Sequence, residues 1–142
     1  MKCSGIDALT GEAVEITAEG GAITAVEPLL GRPAGLRWLA PGFIDLQVNG
    51  FAGADYCSAD TPLEDIARSL EAQFACGTTR IFATVITGSP GGMLAAIRHL
   101  ARARRELPFG RAIEGIHVEG PFISPTDGPR GAHPRESVRP PD

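Results

Sequence analysis

No stretch of this chain offers the ~18 consecutive apolar residues of a membrane span, and no apolar core follows Lys2 as a signal peptide would require. Cysteine is scarce: Cys3, Cys57 and Cys76 are scattered and lack C-x-x-C spacing. They predict free thiols in a reducing cytoplasm rather than a disulfide framework. Positive charge is in deficit. With 13 Lys and Arg against 17 Asp and Glu, the net charge of -4 argues against a general nucleic-acid binder. The glycine-containing stretch 49–55 fits neither G-x-G-x-x-G nor a Walker A loop, so a nucleotide site has no support. No internal repeat is evident, and one domain with a real core is the default at 142 residues.

Glycine and proline are plentiful, at 18 and 12, and their placement divides the chain. Residues 12–18 put Val14, Ile16 and Ala18 on one face, and Gly20-Gly21 joins them to a second short run, 22–27. Two residues able to take positive φ between alternating runs predict a β-hairpin. Gly31 to Gly35, with Pro33, reads as a loop. Residues 1–39 are therefore expected to form a small β element ahead of the main fold at 40–142.

From Leu39 strands and helices alternate. Phe43–Val48 reads as a buried strand. Thr61-Pro62-Leu63-Glu64 predicts a helix start, with Thr61 as N-cap and Glu64 closing a capping box. Leu63, Ile66, Ala67, Leu70 and Phe74 then form one apolar stripe, and Gly77 ends it. Ile81 to Ile86 is a near-continuous apolar run, as expected of a strand covered on both faces. Ser89-Pro90 opens the next helix and Pro108 stops it, with Met93, Ile97, Leu100 and Ala101 inward. Arg98, Arg102 and Arg105 make an outer stripe, read as a solvated face, and His99 is expected at the surface. Ala112–Glu119 is the third strand, and residues 120–142, with six prolines and three glycines, are expected to be neither helix nor strand. A β-α-β-α-β order implies a parallel sheet with right-handed crossovers. The fold class is α/β: the N-terminal part of a (β/α)8 barrel, about three strands and two helices, after a small β element.

Polar groups gather at the strand ends. His117 and Glu119 share one face of the third strand, and Gly120-Pro121 ends it. Asp45, Gln47 and Asn49 share one face of the first. The carboxyl ends of parallel strands are where chemistry sits in such folds. Glu119 alone could be an ordinary strand-end acid. His117 is expected to pack or hydrogen-bond inside the barrel, and Asp45 to tie down backbone or a neighbouring side chain.

The segments Pro41-Gly42-Phe43-Ile44-Asp45-Leu46-Gln47-Val48-Asn49-Gly50, His117-Val118-Glu119-Gly120-Pro121-Phe122 and Gly131-Ala132-His133-Pro134 resemble the N-acetylglucosamine-6-phosphate deacetylases of the amidohydrolase superfamily. The likeness runs from about Gly20 onward. Most of the superfamily carries His-x-His on the first barrel strand and binds two metals, whereas Gln47-Val48-Asn49 stands there in this chain, as in one branch of the deacetylases. The resemblance implies a cytoplasmic enzyme that removes acetate from N-acetylglucosamine 6-phosphate. It implies one divalent metal, usually Zn2+, an amino-sugar phosphate as substrate, no nucleic-acid or membrane partner, and a homodimer at full length. By motif match Glu119 would ligate the metal, and Ala132 and His133 would contact the sugar. Gln47 and Asn49, with His117, would line the site. Two histidine ligands, an acid/base aspartate and a phosphate-binding arginine would come from beyond residue 142, so the 142 residues alone are expected to be inactive. A cyclic-amide hydrolase of the same superfamily is the alternative enzyme, and a non-catalytic truncated fragment is the alternative of another class.

Overall fold

A computed structural model describes residues 1–31 and 33–141, so Arg32, inside the loop expected at Gly31 to Gly35, lies outside the described residues. Two units are resolved, Met1–Pro41 and Gly42–Asp142. The first holds β1 (Lys2–Asp7), β2 (Ala13–Glu19), β3 (Ala22–Pro28) and β4 (Trp38–Leu39). The expected hairpin is β2–β3, turning through Gly20 and Gly21 at φ 59° and 82°. It belongs to a larger sheet, in the order β3-β2-β1-β4, with β1 antiparallel to β2 and parallel to β4. Lys2–Asp7 escapes a periodicity reading because Cys3, Ser4 and Gly5 dilute its apolar signal. Pairing with β2 supplies what propensity does not.

In the second unit, β5 (Phe43–Val48) is followed by two short strands, β6 (Gly50–Phe51) and β7 (Ala54–Asp55). Then come α1 (Leu63–Ala75), β8 (Thr78–Ile86), α2 (Pro90–Glu106) and β9 (Ile113–Glu119). The main sheet runs β5-β8-β9 and both pairings are parallel, which is the alternation expected. Ile66 and Leu70 of α1 and Met93, Ala96, Leu100 and Ala103 of α2 are buried, in one core with Ile81, Ala83, Val85 and Ile113 of the sheet. Tyr56, buried in the same core, shares a 2.6 Å hydrogen bond with Ser69.

Several expectations need correction. The N-cap of α1 is Pro62 rather than Thr61, and it makes no side-chain capping bond. Thr61 Oγ1 instead donates to the Asp55 carbonyl at 2.7 Å, so the hydroxyl braces the preceding loop. The inner face of α2 is turned towards Ala96 and Ala103, and Ala101 is only half-buried. These small residues permit close approach of helix to sheet. Residues Arg135–Ser137 form a short 3-10 turn within the segment expected to be irregular. Strand β5 is not buried: Phe43, Ile44 and Leu46 are 67%, 53% and 68% exposed, because β5 is an edge of the three-stranded sheet and no described element covers these side chains. His99 is half-buried, its Nε2 lying 2.7 Å from the Thr61 carbonyl. It links α2 to the start of α1.

Candidate active site

Strand β9 delivers Glu119 as its last residue, opposite Ile86 of β8. The backbone is secured there by Thr87, whose buried hydroxyl donates to the Glu119 carbonyl at 3.0 Å. Side chains from two other segments reach the carboxylate. Gln47 of β5 donates through Nε2 to Glu119 Oε2 at 2.7 Å, and His133 Nε2 lies 3.3 Å from Oε1. The structure thus brings together residues from distant parts of the chain, Gln47 and Glu119 being 72 positions apart in sequence. Gln47 is itself steadied, since its backbone N–H donates to Asp45 Oδ1 at 3.0 Å. That is the backbone-tying role expected of Asp45.

His133 is carried by a loop without helix or strand, which needs its own bracing. Arg130 supplies it, donating through Nη1 to the His133 carbonyl at 2.5 Å and through Nη2 to Asp127 at 2.6 Å. Among the described residues, His133 Nδ1 and Arg130 Nε are buried without a hydrogen-bond partner. Ala132 is exposed beside them. His117 is half-buried on β9, opposite Thr84, and Asn49 is exposed past the end of β5, where its carbonyl accepts from the Tyr56 N–H at 3.0 Å. Thr87 and Arg130 were not legible as site residues. Their roles depend on a strand end and a loop closure that spacing does not encode.

The three cysteines are free. Cys57 is half-buried, accepting from the Ile86 N–H at 3.5 Å, and burial pushes its thiol above the ordinary value of 9.0. Burial likewise raises the Tyr56 phenol above 10.0. Both are acids kept neutral by folding, so their contribution to stability is present below those ordinary values and is lost as pH rises through the raised ones. Urea midpoints should therefore hold up to about pH 8 and fall by about pH 10.5, and Cys57→Ser with Tyr56→Phe should flatten that fall. An equal fall in the double variant would show that other groups cause it.

Two concavities flank the sheet at opposite ends. The larger, about 910 Å³, is lined by Arg80, Arg104, Arg105, Arg111 and Glu114 near the starts of β8 and β9. It lies away from Glu119, and its arginines are partly spoken for: Arg80 pairs with Glu114 at 3.1 Å and Arg104 donates to the Ile113 carbonyl at 2.8 Å. Arg102 of the outer stripe pairs with Glu106 at 2.8 Å. The smaller, about 660 Å³, is formed by residues 49–55 with Cys57 and Ile86, at the strand ends where Glu119 sits. Chemistry belongs at that end, where the carboxylate, amide and imidazole converge.

No protein-family model matches the chain. Its sequence is 38% identical over 107 residues to the N-acetylglucosamine-6-phosphate deacetylase of Bacillus subtilis, 73% of this chain and 26% of that protein. The Vibrio furnissii deacetylase is 32% identical over 135 residues, 90% of this chain and 33% of that protein. The N-acetylglucosamine-6-phosphate deacetylase structure from Thermotoga maritima matches with a TM-score of 0.83 and 28% identity, over 100% of this chain and 38% of that one. The chain is a relative of the N-acetylglucosamine-6-phosphate deacetylases. It spans about a quarter to a third of the length of these two curated relatives. Another solved deacetylase, a Mycobacterium smegmatis mutant in complex with N-acetyl-D-glucosamine-6-phosphate, matches with a TM-score of 0.78 and 28% identity, over 100% of this chain and 38% of that one.

Within this deacetylase likeness, the donor set can be tested against a divalent metal. An anionic oxygen held at a strand end beside an imidazole suits such an ion. Among the described residues, however, no group of three or more His, Cys, Asp or Glu could hold one. Catalytic zinc sites usually have three protein ligands, so these residues fit one side of a metal site and not a whole one.

Proposed function

We propose that this chain is part of a metal-dependent amide hydrolase that removes acetate from N-acetylglucosamine 6-phosphate and leaves glucosamine 6-phosphate. The observation that carries the reading is the convergence of Gln47 and His133 on the Glu119 carboxylate. It occurs in a chain whose curated relatives and solved neighbours are deacetylases. In this reading residues 1–39 are a small β element and 40–142 begin a (β/α)8 barrel. The whole protein is a cytoplasmic homodimer holding one divalent metal, zinc for preference. The chemistry such an ion supplies when bound is Lewis acidity, which strengthens a water nucleophile and polarises an amide carbonyl. This chain's residues do the holding and orienting. Glu119 furnishes an anionic ligand, and Gln47, Asn49 and His117 line the site. Ala132 and His133 meet the sugar, on a loop fixed by Arg130. The deciding experiment is acetate release from N-acetylglucosamine 6-phosphate by the whole protein, with metal content measured in parallel. A metal-loaded protein that leaves this substrate intact would refute the reading.

Two variants probe the assigned roles. Because His133 reaches the site from a loop, His133→Ala should lower kcat/KM by the equivalent of about 0.5–1.5 kcal/mol while metal content holds. An unchanged kcat/KM would make the loop idle. Neutral amides are poor zinc ligands beside imidazole, so Gln47→His with Asn49→His should raise metal stoichiometry from about one towards about two. If the unmutated protein already binds two, the single-metal assignment fails.

A further inference from the structure

We propose that the concavity at the starts of β8 and β9 is a binding site for a small anion that carries a diphosphate group. The proposal goes beyond the deacetylase reading and does not rest on it. Four guanidinium groups, from Arg80, Arg104, Arg105 and Arg111, line this cavity against the single carboxylate of Glu114, a formal charge of +3 in a chain of net -4. Its volume of about 910 Å³ is ample for a small molecule. Concave walls of one sign focus the field and raise the local concentration of the opposite ion. Glu119 lies five residues along β9 from Glu114, roughly 17 Å at the ~3.3 Å rise of a parallel strand, so this cavity is separate from the strand-end site.

Pairing within the chain does not account for the charge. Glu114 engages Arg80 at 3.1 Å, and the Ile113 carbonyl engages Arg104 Nε at 2.8 Å. Among the described residues Arg105 and Arg111 make no hydrogen bond or ion pair. Arg104 and Arg105 stand in the last turn of α2, where the helix dipole favours cations, but Arg111 lies outside the helix. Its backbone is firmly held all the same. Arg111 belongs to a 3-10 turn, Gly110–Ala112, whose first residue is buried against the end of α2. A methyl group on Gly110 would run into the Ala103 and Arg104 carbonyls, so the turn sits directly on the helix. Phe109, just before it, meets Phe74 of α1 edge-on, with ring centres 5.6 Å apart. The backbone beneath Arg105 and Arg111 is thus set before any ligand arrives, which lowers the cost of ordering the site. Two unpaired guanidinium forks suit two linked phosphates, since each fork can donate two parallel bonds to phosphate oxygens. Leu107 and Pro108 add an apolar wall that suits an organic substituent.

The test titrates the whole protein with inorganic pyrophosphate in a calorimeter. One equivalent should bind, and orthophosphate should bind roughly 10-fold more weakly or worse. Arg105→Gln with Arg111→Gln should weaken pyrophosphate binding roughly 10-fold or more. The unliganded melting temperature should not change, because both side chains are exposed. Arg98→Gln with Arg102→Gln removes two charges from the outer stripe of α2, outside the cavity, and should leave the affinity unchanged. Pyrophosphate also chelates divalent cations, but neither pair of substitutions would alter that. ADP, titrated in parallel, separates the sources of the diphosphate. Binding of ADP with the same arginine dependence supports a diphosphate ester, and its exclusion while pyrophosphate binds supports the free ion. The proposal is overturned if the whole protein binds neither, or binds orthophosphate equally well. It is overturned too if affinity survives in the cavity variant, falls equally in the outer-stripe variant, or if the cavity variant melts lower without ligand. Acetate release plays no part in the readout, so failure here leaves the deacetylase reading standing, and the reverse.

Discussion

Glu119→Gln in the whole protein should reduce bound zinc, measured by elemental analysis, to well below one equivalent per chain. The substitution keeps side-chain length and leaves β9 intact, but it exchanges an anionic oxygen for a neutral one. A neutral amide is a far weaker ligand for a divalent cation. It also turns one acceptor into a donor, which faces either the Gln47 amide or His133. The Gln47 amide is then left at most a neutral carbonyl oxygen, a weaker acceptor than the carboxylate. Among the described residues no group of three or more His, Cys, Asp or Glu could take over the ion. Activity on N-acetylglucosamine 6-phosphate should fall with the metal. A full equivalent of zinc in the variant would remove Glu119 from the ligand set.

Gly120→Ala should be the most destabilising small change near the site, by about 2–4 kcal/mol. Two costs combine. Gly120 has φ of 86°, a left-handed conformation that an L side chain adopts only with strain. A methyl group there would also run into the Thr87 hydroxyl, with no room to spare. That hydroxyl secures the Glu119 carbonyl, so relief of the clash would cost the anchor as well. Gly91→Ala is the matched control. It lies in α2 with nothing within 4 Å of the added methyl and should be neutral or stabilising by about 0.5–1 kcal/mol. Urea midpoints of the two variants would separate these outcomes. Equal midpoints would mean the turn after β9 can relax, and that the close approach of Gly120 and Thr87 is dispensable.

Much of the second unit was legible because its signals are local. Ser89 caps α2, its Oγ accepting from Gly92 N at 3.2 Å, and Gly77 takes positive φ past α1. The apolar run at Ile81–Ile86 became the central strand. Where local signals competed with longer-range ones, the reading failed. Thr61 has every property of an N-cap, yet a carbonyl six residues back claimed its hydroxyl. His99 sits on a basic helix, yet a carbonyl 38 residues away drew it inward. Strand β1 carries too weak a pattern to declare itself, and its partner defines it. The site followed the same rule. Glu119 was visible from the turn that follows it. Its contacts with Gln47 and His133 arise only when strands from distant parts of the chain lie side by side.

The order β5-β8-β9 has a bearing on synthesis as well as on chemistry. Each new strand of this sheet lies beside the strand of the same sheet made before it, with one α-helix in each connection. A nascent chain leaving the ribosome therefore finds every pairing partner already formed, and no strand must wait for a later one to be inserted between its neighbours. The sheet can grow outward in the order of translation, each helix sealing the step before it. Gln47 is present from the first step and Glu119 arrives with the last of these strands, so the polar contact between them closes only after all three are in register.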